Sequence, residues 1–87
     1  MKQYMVIEHF KPECMEAVYE RLSRNGRMLP PGLYYVNSWL NRELGICYQL
    51  METADAQLFS AWTSHWSDLV EFDIVPVDGS PQCQKNA

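Results

Sequence analysis

GLYYVNSWLNRELGICYQLMET, residues 32–53, decides how this chain folds. It alternates side-chain type over 33–40, breaks at the polar run Asn41–Gly45, and alternates again over 46–52. Period-two alternation on both sides of a short break containing Gly predicts two antiparallel strands of a hairpin, with Gly45 free to take positive φ. The amides Asn37 and Gln49 are unexpected among so many Tyr, Trp and Met side chains. If Leu40 pairs with Ile46, then Tyr35 faces Met51, Asn37 faces Gln49 and Trp39 faces Cys47 on one side of the ribbon. Val36, Ser38, Tyr48 and Leu50 fall on the other. In that register each amide partners the other, and the second, more aliphatic side takes the helices. A slip of one residue exchanges the two faces.

Outward from the hairpin, YMVIEHF (residues 4–10) reads as a short strand whose alternating sets, Tyr4, Val6, Glu8, Phe10 and Met5, Ile7, His9, are both largely apolar. Such a strand belongs in the middle of a sheet with both faces covered. From Pro12 to about Arg24 the apolar period lengthens to that of an amphipathic helix, carried by Met15, Val18, Tyr19 and Leu22 and stopped at Asn25-Gly26. RMLPPG (27–32) is a connection in which Pro30-Pro31 excludes helix and ladder alike. Thr53 or Asp55 can cap a second helix carrying Leu58, Phe59, Trp62, Trp66 and Leu69. EFDIVPV (71–77) predicts a last strand, placed at an edge by Pro76. The order is βαββαβ. It folds most simply into an α+β, ferredoxin-like, four-stranded antiparallel sheet of order 4-1-3-2 with both helices on one face. Residues 1–77 form the single domain and the polar stretch 78–87 is expected to be a loose tail.

Eighty-seven residues give a small core, because a chain of this size buries only about 60 to 65% of its unfolded surface. With 13% aromatics and 47% hydrophobic residues, the uncovered face of the sheet would carry an apolar patch larger than a small monomer tolerates. A second copy related by a two-fold axis is the simplest cover, so a homodimer is expected. The net charge of −4 supplies no field for phosphates, and GICYQLME lacks the basic and aromatic pattern of an RNA-stacking strand. Nucleic acid is therefore not an expected partner. Arg21, Arg24 and Arg27 cluster at the end of the first helix, where they offset its dipole. Three cysteines, Cys14, Cys47 and Cys83, form neither a disulfide framework nor a metal motif. They fit a reducing cytoplasm. No apolar run approaches the ~20 residues of a membrane span.

YMVIEHF, NGRMLPPGLYYVNSW, CYQLMET and WSDLVEFDIVPV together resemble a small bacterial family catalogued as a domain of unknown function and placed with the dimeric α/β barrels. The resemblance covers residues 3–77 and implies the fold and dimerisation, with no reaction attached. None of the site motifs of the superfamily's enzymes maps onto this chain, so no catalytic residue follows from it.

The residues themselves offer a candidate general base in His9, near the end of a central strand, since imidazole titrates near neutrality. His65 reads as a surface histidine. Asn37, Trp39 and Gln49 can orient a ligand, with Trp62 and Trp66 as a stacking wall for a planar molecule when they are not simply core. Glu8 and Glu52 sit among apolar neighbours, where a carboxylate's pKa rises. Asp68 reads as structural. No cofactor and no metal site is indicated. Two functions stay open: a cofactor-independent enzyme or binding protein for a small aromatic molecule held between sheet and helices, and a non-catalytic dimeric structural or regulatory interaction module.

Overall fold

A computed structural model describes residues 1–79. The elements are β1 (Lys2–Phe10), α1 (Met15–Asn25), β2 (Leu33–Asn41), β3 (Ile46–Thr53), α2 (Leu58–Thr63) and β4 (Val70–Val77). The four strands form one antiparallel sheet of order β2-β3-β1-β4, the expected ferredoxin-like arrangement read from its other edge. The tail expected over 78–87 lies, from residue 80 on, outside the described residues.

The core lies between the sheet and the two helices. Val6 and Met51 are fully buried there, packed with Val18, Leu33, Phe59, Trp62, Trp66 and Val70. Ring contacts tie specific elements together: Tyr4 on β1 meets Phe59 on α2 at 5.1 Å and Phe10 meets Tyr19 on α1 at 6.2 Å between centroids. Both helices therefore cover the Tyr4, Val6, Glu8, Phe10 face of β1, and Met5, Ile7 and His9 point the other way.

The hairpin register differs from the expected one. Leu40 pairs with Cys47 and Trp39 with Tyr48, and a bulge between Tyr35 and Asn37 absorbs the extra residue, Val36. A bulge places two residues opposite one and resets the alternation beyond it. Leu33 and Tyr35 thus face the helices before the bulge, and Ser38 and Leu40 after it. A hydrogen bond of 2.7 Å between the Tyr35 and Ser38 hydroxyls records that both lie on the same side although they are three residues apart. On β3 the buried set is Cys47, Gln49, Met51 and Thr53. The amides consequently do not pair. Asn37 lies on the open face, its Oδ1 accepting from the Ser38 amide at 2.8 Å just past the bulge, while Gln49 is buried under the helices.

Two helix boundaries also move. α1 begins at Met15 rather than Pro12 because Glu13 adopts a left-handed φ of 64°, which a helix cannot continue through. α2 has six residues. At its end, the hydroxyls of Thr63 and Ser64 donate to the Ser60 and Ala61 carbonyls, competing with the helical ladder, and residues 64–69 close as turns. Asp55 caps the turn before α2, accepting from the Gln57 amide at 3.0 Å. The buried Thr53 hydroxyl donates to the Gly32 carbonyl at 2.8 Å and accepts from the Asp55 amide at 3.0 Å, joining the start of β2 to the start of that turn. Gly32 has φ +97°, and a Cβ there would stand 3.0 Å from Leu58, so both backbone and space require glycine. No helix among the described residues is long and apolar enough to cross a membrane.

Candidate functional site

Where the helices lift from the sheet they leave a cavity of about 70 Å³, partly open to solvent. Its floor is apolar and aromatic, with Trp62, Trp66 and Phe72 foremost. Its polar groups arrive from different elements: Glu8 from β1, Ser38 from β2, Cys47 and Gln49 from β3, Tyr19 from α1 and Arg27 from the α1–β2 connection.

Glu8 is central. Its Cα partners are Cys47 on β3 and Phe72 on β4, so the carboxyl projects from the middle of the sheet into the cavity. Burial pushes its pKa up from 4.5 to about 7, opposed by the Cys47 thiol, which hydrogen-bonds to the carboxylate, and by the positive charge of Arg27. The Cys47 thiol is in turn pushed up to about 11, by burial first and the neighbouring Glu8 charge second. A thiol this reluctant to ionise is a hydrogen-bond donor here and no nucleophile at neutral pH. A carboxyl that titrates near neutrality beside an apolar void has the character of a general acid or base.

Arg27 is the group that reading the sequence missed. Its carbonyl accepts from the indole N–H of Trp62 at 3.0 Å and of Trp66 at 3.1 Å. These two indoles pin the connection to the end of the core, and the Arg27 guanidinium carbon lies 3.6 Å from the centroid of the Tyr35 ring. In the sequence Arg27 looks like the third of three cations offsetting a helix dipole. Gly26, with φ 66°, turns the chain out of α1 immediately before it and removes it from that role. The other two arginines stay on α1 and are paired: Arg24 with Glu20 within the helix, and Arg21 with Asp68 beyond α2, in a bidentate contact at 2.8 and 2.7 Å. That pair gives Asp68 its structural partner, and Arg21 also donates to the His65 carbonyl, leaving the exposed His65 ring outside the cavity.

Of the residues singled out from the sequence, Gln49, Trp62 and Trp66 line the cavity together with Glu8. Gln49 donates to the Met51 sulfur at 3.3 Å, a weak acceptor. His9, Asn37 and Trp39 are not brought to it. His9 is on the opposite face of β1, its Nε2 3.1 Å from Asp73 and its side chain 41% exposed, and Trp39 is 51% exposed on the same open face. The step of one residue from His9 to Glu8 is the physical reason: neighbours on a strand point to opposite faces. Glu52, also outward, accepts from Gln3 at 2.9 Å as an ordinary strand-end acid. Among the described residues no cluster of metal-ligating side chains occurs.

The chain belongs to the family described as Domain of unknown function (DUF3303), which matches residues 2–85. No curated protein and no solved structure matches it.

Proposed function

We propose that this member of a family without an assigned role binds, and exchanges a proton with, a compact small molecule in the cavity between sheet and helices, without a cofactor, in the cytoplasm. The observation that carries the reading is Glu8, a carboxyl buried at an apolar cavity and titrating near pH 7, with a thiol as its hydrogen-bonding neighbour. Glu8 takes the role expected of His9, and Gln49, Trp62 and Trp66 keep theirs as ligand contacts. Asn37 and Trp39 move from ligand contact to the open face. The void of about 70 Å³ is less than half of the ~150 Å³ that accommodates benzene, so the aromatic ligand expected from the sequence gives way to something smaller than one ring, or to a ring admitted by its edge alone. A thermal-shift and amide-NMR screen of the full chain against fragments of this size tests the reading. Saturable shifts of the Trp62 and Trp66 indole signals that vanish in Glu8→Ala support it; no saturable shift from any fragment at millimolar concentration refutes it.

A second reading is favoured by the smallness of the same void: a non-catalytic module whose core is nearly filled by its own side chains. The screen separates the two.

We propose further that two copies share the open face of the sheet, as in the dimeric α/β barrels. Tyr34, Val36, Trp39, Tyr48 and Val75 are 37–51% exposed there, and no element among the described residues covers them. A face of this kind in water is unfavourable by about 25 cal/mol for each Å² that a partner could remove. Light scattering at micromolar concentration is expected to give twice the chain's mass, and a stable single-chain species would refute the dimer.

A further inference from the structure

The cavity places one cation and one titratable acid at the edge of an apolar floor, and among the described residues the cation makes no salt bridge. The ion pairs among the described residues are His9–Asp73, Arg21–Asp68 and Arg24–Glu20, and none involves Arg27. Arg27 is nevertheless held in place: Gly26 and Met28 on either side of it have left-handed φ of 66° and 59°, its carbonyl carries two indole hydrogen bonds, and its guanidinium lies on Tyr35. A guanidinium stacked through its face keeps the N–H groups of its edge for a planar anion. Burial raises the pKa of Glu8, Cys47 and Tyr19, and the Arg27 charge, felt inside the cavity, partly opposes that rise in all three.

We propose that the cavity takes a compact monoanion, a short carboxylic or oxo acid, with its negative group set between the Arg27 guanidinium and the protonated Glu8 carboxyl. The proposal rests on the reading of the cavity as a ligand site and names the chemistry of the ligand. A carboxylate leaving water needs a counter-charge and hydrogen bonds for both oxygens. Arg27 supplies the charge and donors to one oxygen. The Glu8 hydroxyl donates to the other, whereas an ionised Glu8 would repel it. A neutral ligand leaves Arg27 unused, and a dianion brings two charges to one cation. About 70 Å³ is under half of the ~150 Å³ that holds the six heavy atoms of benzene, so the enclosed part takes the charged end of a short acid, about three heavy atoms, and the remainder reaches into the open side of the cavity.

The binding is therefore proton-linked, and its direction follows from what faces Glu8. The titratable or charged groups there are Cys47 on β3, Tyr19 on α1 and Arg27 in the connection, while β4 and the α2 region contribute Val70, Phe72, Trp62 and Trp66. Glu8 alone among them changes charge between pH 6 and 8, with its pKa at about 7, so affinity for the anion falls about tenfold across that interval.

The experiment titrates the full chain with propionate, pyruvate and the neutral isostere propionamide at pH 6 and pH 8, following indole and side-chain amide NMR signals. Expected are saturable binding of both acids at pH 6, about tenfold weakening at pH 8, at least tenfold weaker binding of the amide, and loss of acid binding in Arg27→Met. The acid–amide comparison uses the unaltered chain and stands whether or not that variant folds. Propionamide binding as tightly as propionate, or acid affinity that is unchanged or rises from pH 6 to 8, overturns the anion assignment and leaves the cavity a ligand site. Absence of binding by acids and amide alike overturns the anion assignment as well, and takes the cavity reading with it if the wider fragment screen is also silent.

Discussion

The two faces of this sheet are built from similar side chains and end in different states. Under the helices lie Val6, Cys47, Gln49, Met51 and Phe72, and on the other side lie Ile7, Tyr48, Leu50, Trp39 and Val75. Both sets are mostly apolar and both contain an aromatic. The first is buried and encloses Glu8, and the second leaves Trp39 half in solvent. Residue type therefore does not choose the face. The choice is made by which strand positions the helices' own stripes can meet, Val18 and Leu22 from α1 and Phe59 and Trp62 from α2. The acid falls on the covered side and the histidine on the bare side through a difference of one position in β1.

The sharpest way to break this comparison is to replace a tryptophan on each face. Trp62→Ala empties a site that is 2% exposed and removes an indole hydrogen bond to Arg27, so a loss of about 3–5 kcal/mol in urea unfolding is expected. Next comes the buried charge. The folded pKa of Glu8, about 7, exceeds its ordinary 4.5, so the folded chain holds this proton more tightly than the unfolded chain does. The contribution favours folding at low pH, declines as pH rises from about 4.5, and is lost above about 7, a change on the order of 3 kcal/mol. Chemical denaturation at pH 4.5, 6 and 8 is expected to show the wild type losing stability relative to Glu8→Gln in that order, and a constant difference between the two would contradict the buried, protonated acid. Thr53→Val is expected to cost about 1–3 kcal/mol, because it strips the Asp55 amide and the Gly32 carbonyl of their buried partner. The smallest effect on the stability of the single chain belongs to the open face. Trp39→Lys is expected to stay within about 0.5 kcal/mol when folding is measured below the association threshold. Sedimentation of the same variant, if the dimer forms as proposed, shows single chains where the wild type shows pairs.

The element order and the two helical stripes were legible because each rests on local period, two for the strands and about 3.6 for Met15–Leu22 and Leu58–Trp62, and the strand order followed from the short connections between those elements. The acid at Glu8 was legible in kind, since a carboxyl amid Tyr4, Val6 and Phe10 must be desolvated if that set is the buried one. Which set is buried was not legible, because the alternative, Met5, Ile7 and His9, is as apolar. The hairpin register was hidden for a different reason. A bulge leaves no composition mark when the inserted residue, Val36, is itself a good strand former, and the regular count then assigns Asn37, Trp39 and Gln49 to one face. Arg27 was out of reach because its role comes from Tyr35, Trp62 and Trp66, up to 39 residues away, and a cation after a helix already has a sufficient local explanation.

The doubled hydrogen bond at the Arg27 carbonyl also makes the molecule its own optical probe. Two of its three tryptophans donate to this one oxygen, and the third stands in solvent on the opposite side of the sheet. Any event that lifts the connection, the first step of unfolding among them, alters both buried indoles at once. Emission from Trp62 and Trp66 in a Trp39→Phe background would report it without a label.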